Sequence, residues 1–458
     1  MNNIEVELEN GFEHYWLPDP GTAEELAEAV RLSWEFLEVA PLKITAPLLG
    51  LAYAAPLAEI ISPDFVVWLW GGTGSFKSTV SALTLSHYGG FDDTRLPFSF
   101  ESTSNALERS LFLAKDILTV VDDWRPGVTR GDSDDMDRKA QRLLRGVGNR
   151  QGRNRMTSDT MLRESYPPRG AVMATAEALP EGPAFQSASA RALCVNIAHE
   201  QVDREKLSRI QAQKEKLPQA MAGYIRFIGA RYDALASELP KMRDSLREKK
   251  LRPLLGGSHP RTPGNTATLI LGLQQLRDFS VSIGAINEAE VQELYERART
   301  GILEAAKAHT ESTTGGDPAS RFVDLLRSLF DAGHVYASDR RTGGIPQEPE
   351  QLGWEESDRE DSATHVPCRN ADHIGAADEE YLYLDKNTAF KAIGEFAQRG
   401  GLPFGVKPRM VWESLARAGH SLTDEGRTDA SVKVAGKTKR MVQIPRSVVF
   451  GPDDEGAE

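Results

Sequence analysis

The stretch from Phe65 to Tyr88, FVVWLW (65–70), GGTGSFKST (71–79) and VSALTLSHY (80–88), decides the fold. The first six residues are an apolar run of strand length. A Gly-rich turn follows, and then apolar residues return at helical spacing. The turn approximates GxxxxGK[ST]. In that pattern glycines bring backbone N–H groups close to phosphate oxygens, and the helix N-terminus adds partial positive charge. Lys77 would reach the β/γ-phosphates and Ser78 would hold Mg2+. Gly71, Gly72, Thr73, Gly74, Ser75, Phe76 and Thr79 would complete the wrap around an NTP, read here as ATP. One position departs: Phe76 stands where the second glycine belongs. A Cβ there restricts the backbone and would put a ring beside the phosphates. Either the loop accepts a non-glycine residue at that point or phosphate binding is impaired.

Outward from this segment, short apolar runs alternate with helical patterns: ILTVV (117–121), AVMAT (171–175) and ALCVNI (192–197). Strands separated by helices predict an α/β fold whose parallel sheet is covered on both faces. The run ILTVVDD ends in Asp122 and Asp123. Asp122 would hold Mg2+ through water, and Asp123 would orient or deprotonate the attacking water. Alone, two such carboxylates read as a strand cap; coupled to Lys77, the metal reading is favoured. Asp123 is one methylene shorter than the Glu that many ATPases use there. Thr175, at the tip of the third run, reads equally as a γ-phosphate sensor and as a strand-end cap. Arg191 precedes the last run, beside Ser187 and Ser189. It reads as an arginine finger for a neighbouring subunit's nucleotide, against a solvated or salt-bridged residue.

Composition bounds the rest. The chain has 458 residues, 40% hydrophobic and 26% charged, enough for sizeable cores. Its net charge of −13 argues against a uniformly basic surface but not against local basic patches. Two cysteines, Cys194 and Cys368, exclude a disulfide framework and a Cys-rich zinc module, and a reducing cytoplasm is the expected location. No secretory signal is visible in the acidic N-terminus. Residues Ile44 to Ile61 are apolar but interrupted by Pro47, Pro56 and Glu59, so they read as a buried helix and no membrane partner is expected. His87, His199 and His373 show no metal-ligand spacing, and Mg2+ is the divalent ion expected. The chain divides into an N-terminal helical region (1–60), an ATPase core (61–200), a helical region (201–312), a linker and irregular region (313–378) and a last domain (379–450).

Two basic concentrations stand out. Arg138 to Arg169 holds nine basic residues against two acidic, and Arg150, Arg153 and Arg155 sit in a Gly- and Asn-rich run suited to phosphate contact. Exposed, solvated charge is the plainer reading. Gly401 to Arg446 holds nine basic against four acidic. There the order of helix, helix and hairpin matches a winged helix. Arg409 lies on the recognition-type helix, and Lys437, Lys439 and Arg440 lie on the wing. Winged helices also bind proteins or pack against their own chain.

In sequence, GGTGSFKST, STSNALERSLFLAKDILTVVDDWRP, RLLRGVGNRQGRNRM, PPRGAVMATAEALP and SASARALCVNI resemble the ATPase module of primase–helicase proteins. These occur in phages, plasmids and integrative elements and are related to superfamily 3 helicases and the AAA+ class. The resemblance spans roughly residues 40–240, with a weaker echo in 379–450. It implies a P-loop NTPase core that assembles into a ring, usually a hexamer, with the arginine finger acting between subunits. It also implies ATP-driven DNA unwinding or translocation during replication of a mobile element, alongside a primase or a polymerase. By resemblance Lys77, Ser78, Asp122, Asp123 and Arg191 carry over. Superfamily 3 proteins usually place Asn at the third strand's tip, where this chain has Thr175. The alternative to a motor is a nucleotide-gated DNA-binding initiator or regulator with little ATP turnover.

Overall fold

The computed structural model describes residues 11–127, 129–152, 165–180, 188–256, 258–314, 318–356, 365–399, 408–422 and 427–451. The chain divides into two compact units, Met1–Ser312 and Thr313–Glu458.

The first unit is built on five parallel strands: β1 (Val66–Trp70), β2 (Phe98–Ser99), β3 (Leu118–Trp124), β4 (Ala171–Ala176) and β5 (Ala192–Asn196). Their order is β2-β3-β4-β1-β5, with every neighbouring pair parallel. The central strands β1 and β4 are flanked on both sides, and all of β4 is buried. That explains why their sequences are continuously apolar rather than alternating. The four predicted apolar runs are β1, β3, β4 and β5. The two-residue β2 has no signal of its own.

Helices cover the sheet. Ala23–Glu35 begins at a capping box in which Thr22 accepts from the Glu25 N–H and the Glu25 carboxylate accepts from Thr22. The apolar run Leu42–Ile61 is long enough to cross a membrane, yet most of it is buried in the fold. Its first helix, Leu42–Ala54, packs backbone to backbone on Thr262–Ser282: a Cβ added at Gly272 would lie 2.2 Å from the Gly50 oxygen. After β5 the unit is helical, with Arg204–Gln211, Leu217–Gly229, Tyr232–Ser245, Thr262–Ser282 and Glu288–Thr314.

Two buried histidines tie this unit together. His87 Nδ1 lies 2.9 Å from the Thr84 carbonyl, which can only accept, so Nδ1 carries the proton. Nε2 therefore accepts from Ser33 Oγ at 2.8 Å, and Ser33 in turn accepts from Tyr53 at 2.8 Å. Although Ser33 and His87 resemble a nucleophile and its base, both are fully buried. His309 accepts at Nδ1 from the Cys194 N–H at 3.1 Å, so it satisfies a backbone donor of the edge strand β5. Burial pushes the pKa of both histidines down to about 4.

The second unit opens with the helix Pro318–Asp331. Strands β6 (Val335–Asp339), β7 (Trp354–Glu356), β8 (His365–Pro367), β9 (Asp372–Ala377) and β10 (Tyr381–Leu384) follow. Then come the helices Lys386–Arg399 and Pro408–Arg417, the hairpin β11 (Ala430–Val434) and β12 (Lys437–Pro445), and Arg446–Phe450. The main sheet runs β11-β12-β10-β9-β6. The expected helix–helix–hairpin order is present, but β12 extends past the hairpin to pair with β10, making the hairpin one edge of a five-stranded sheet. The described part of 313–378 also differs from the linker and irregular region its composition suggests, since it holds the helix Pro318–Asp331 and strands β6 to β9. Strands β7 and β8 form there because buried Trp354 donates to the Ala337 oxygen at 2.8 Å and pins their segment to β6.

Candidate functional site

In a parallel sheet, loops leaving the C-terminal strand ends share one rim. Here that rim gathers the Gly-rich loop after β1, the acidic end of β3, the tip of β4 and the turn after β5.

The loop between β1 and the helix Lys77–Leu85 is shaped by its glycines in different ways. A Cβ at Gly71 would lie 2.0 Å from the Ile197 oxygen, so glycine is required by close approach to the segment after β5. Gly74 has φ +79, a conformation open chiefly to glycine. At Gly72 a Cβ would meet nothing within 4 Å, and no positive φ is recorded. The fold itself gives no steric reason for glycine there. Lys77 Nζ donates to the Gly71 and Gly72 carbonyls at 2.7 and 2.8 Å. Burial lowers the Lys77 pKa, and the charges of Glu177, Asp122 and Asp123 oppose that shift. Thr73 donates to Glu177 at 3.0 Å, Ser75 donates to the Gly72 oxygen at 2.8 Å, and Thr79 donates to Asp93 at 3.1 Å.

Phe76 takes the left-handed conformation itself, with φ 64 and ψ 17, immediately before the helix. For an L-residue that costs about 1–2 kcal/mol. Its ring stacks on His199, with centroids 5.2 Å apart and planes 26° apart. The Arg204 guanidinium carbon lies 5.6 Å from the same ring.

The acidic pair sits on a β-bulge. Val121 pairs with Ala174 and Trp124 with Ala176, so Asp122 and Asp123 together face the single residue Thr175. The buried Thr175 hydroxyl accepts from the Asp123 N–H at 3.0 Å and donates to Asp122 Oδ1. Asp123 has φ 64, and its side chain is exposed. The Asp122 Oδ1 also accepts from Ser78 at 3.1 Å. Ser78 and Asp122 thus offer two hard oxygen donors side by side, the type of set that holds Mg2+ when phosphates and water supply its other positions.

Arg191 lies elsewhere. It precedes β5 at the end paired with Val66, whereas the loop follows Trp70 at the opposite end. Five residues at about 3.3 Å each separate the two rims by roughly 17 Å. Arg191 donates to Asn149 Oδ1 at 3.0 Å, at the C-terminus of the helix Arg130–Asn149. Arg261 donates to the neighbouring Gly148 oxygen at 2.6 Å. Burial lowers the Arg191 pKa, and the charges of Arg261 and Arg145 add to the effect. Arg145 belongs to the basic concentration between Arg138 and Arg169, whereas nothing local in the sequence marks Arg261.

Of the basic residues expected to meet DNA, Arg150 pairs with Asp64 at 3.1 Å and ends the helix Arg130–Asn149 in a left-handed conformation. Arg153 and Arg155 lie outside the described residues. Arg138, Lys139, Arg142 and Arg145 line a groove against the helix Ser104–Leu113. In the second unit Arg409 pairs with Glu413 and Arg440 with Asp429, and the four line one shallow cleft. Lys437 and Lys439 are exposed and face the other side of the hairpin, sharing the face of Val434 and Val432. Strand alternation separates them from Arg440.

A family model described as a domain of unknown function (DUF927) matches residues 34–165, less than half of the chain. No curated protein matches it. Among solved structures, the SCCmec type IV Cch active helicase aligns with 96% of this chain and 73% of its own, at 14% identity and a TM-score of 0.55. The A-form apo structure of the NrS-1 C-terminal region aligns with 67% of this chain and 70% of its own, at 13% identity and a TM-score of 0.27, too low to bear on the fold. At 14% identity the first match speaks to architecture and not to chemistry. The chain therefore shares the mixed α/β fold of that helicase, with a five-stranded parallel sheet and many helices.

Proposed function

We infer that the chain is an ATP-driven DNA helicase or translocase acting in the replication of a phage or other mobile element. The observation that carries this reading is the meeting of Lys77, Ser78, Asp122 and Thr175 at the C-terminal rim of a parallel sheet. The loop from Gly71 to Thr79 wraps the triphosphate, and Lys77 exchanges the Gly71 and Gly72 carbonyls for the β/γ-phosphates. Ser78 and Asp122 hold Mg2+, which neutralises charge on the phosphates when bound. Asp123 orients the attacking water, and Thr175 fixes the direction of the Asp122 carboxylate and holds the Asp123 backbone.

Arg191 faces away from its own chain's loop, which suits a ring, hexameric by resemblance, in which each Arg191 serves a neighbour's nucleotide. DNA contact falls to the Arg138–Arg145 groove and to the hairpin of the second unit, read as winged-helix-like. A partner primase or polymerase and a cytoplasmic setting complete the proposal. The test is ATP hydrolysis with and without single-stranded DNA, with light scattering to weigh the assembly. Equal rates with and without DNA would defeat the motor reading. The second reading, a nucleotide-gated DNA-binding initiator, draws on the strained Phe76 and the short Asp123. It is favoured if ATP tightens DNA binding without steady-state turnover.

A further inference from the structure

The stacked rings of Phe76, within the loop, and His199, beside it, take no part in the chemistry above. His199 opens the short 3-10 turn His199–Gln201, just after β5. That turn is held against the loop: the Ile197 N–H donates to the Trp70 oxygen at 2.9 Å, and Gly71 packs on the Ile197 carbonyl. His199 is exposed, while Phe76 is half-buried beneath it. Arg204 Nη2 lies 2.6 Å from His199 Nε2. A guanidinium cannot accept, so Nε2 is the acceptor and the imidazole is neutral with its proton on Nδ1. The ring is therefore fixed in plane from below by Phe76 and from the side by Arg204.

Holding two rings and an arginine in register at a surface costs side-chain entropy, and Phe76 adds backbone strain. We propose that the Phe76–His199 stack is the shelf for the base of the bound nucleotide, a purine lying on the outer face of His199. The proposal rests on the phosphate-loop reading and extends it to the other end of the ligand. A flat neutral ring offers stacking without hydrogen-bond readout, so such a shelf accepts adenine and guanine alike.

The test compares Mg2+-ATP with Mg2+-tripolyphosphate, which has phosphates and no base, by calorimetric titration of the full chain. Wild type binds ATP more tightly than tripolyphosphate. His199→Ala weakens ATP by roughly tenfold and leaves tripolyphosphate unchanged, and His199→Phe restores much of the loss. Equal weakening of both ligands by His199→Ala makes the stack a brace for the loop and overturns the shelf. Equal affinity of wild type for the two ligands overturns the shelf while the phosphate site stands. Binding of neither ligand removes the phosphate site and the shelf together.

Discussion

Acid should loosen the first unit through two histidines, and the size of the effect follows from their burial. His87 and His309 are held neutral at a pKa of about 4, against an ordinary value of 6.5. The unfolded chain therefore binds two more protons than the folded one between those values. The stability they contribute is complete above about pH 6.5 and is lost as pH falls toward 4. Between pH 7 and pH 5 the loss is about 2 kcal/mol for each histidine. The geometry gives the cause. A second proton on His87 Nε2 meets the Ser33 hydroxyl, which already accepts from Tyr53. A proton on His309 Nδ1 meets the Cys194 N–H and frees a donor on the edge of β5. The assay is urea unfolding followed by tryptophan fluorescence at pH 7 and pH 5, for wild type, His87→Gln and His309→Gln. Each variant is less stable at pH 7, but its pH 7-to-5 loss is smaller than that of wild type by about 2 kcal/mol. Carboxylates titrating in the same range cancel in this difference. An identical loss in wild type and both variants would refute the reasoning.

Further outcomes concern the site. Lys77→Ala abolishes saturable Mg2+-ATP binding in calorimetric titration while the thermal transition stays near that of wild type. Thr175→Val removes the hydroxyl that joins Asp122 to the Asp123 backbone, so turnover in a steady-state ATPase assay falls by about 10²-fold, more than ATP affinity falls. Gly72→Ala unfolds within about 0.5 kcal/mol of wild type yet binds nucleotide more weakly, whereas Gly71→Ala, pressed on the Ile197 carbonyl, loses stability outright. Equal denaturation midpoints for these two variants contradict the loop geometry. Lys437→Ala and Lys439→Ala each reduce the salt slope of DNA binding by about 1, measured by fluorescence anisotropy across salt concentrations.

Local pattern alone determined the strand–loop–helix segment, the acidic end of β3 and the buried character of residues 44–61. Each depends on periodicity or turn chemistry within a few residues, which a chain carries wherever it folds. The tertiary structure decided the rest. The bulge that sets Asp122 and Asp123 against Thr175 exists only in the pairing of β3 with β4, and pairing register is a property of two strands, not one. Phe76 reads in sequence as a fault in a glycine motif; its stacking on His199 arises because β5 lies next to β1. Arg191 reads as one more site residue, and only the direction of β5 places it on the far rim, beside Arg261 from a distant helix. The strands β7 and β8 were hidden in a charged, Gly- and Pro-rich stretch because a single buried tryptophan, rather than an apolar pattern, anchors them.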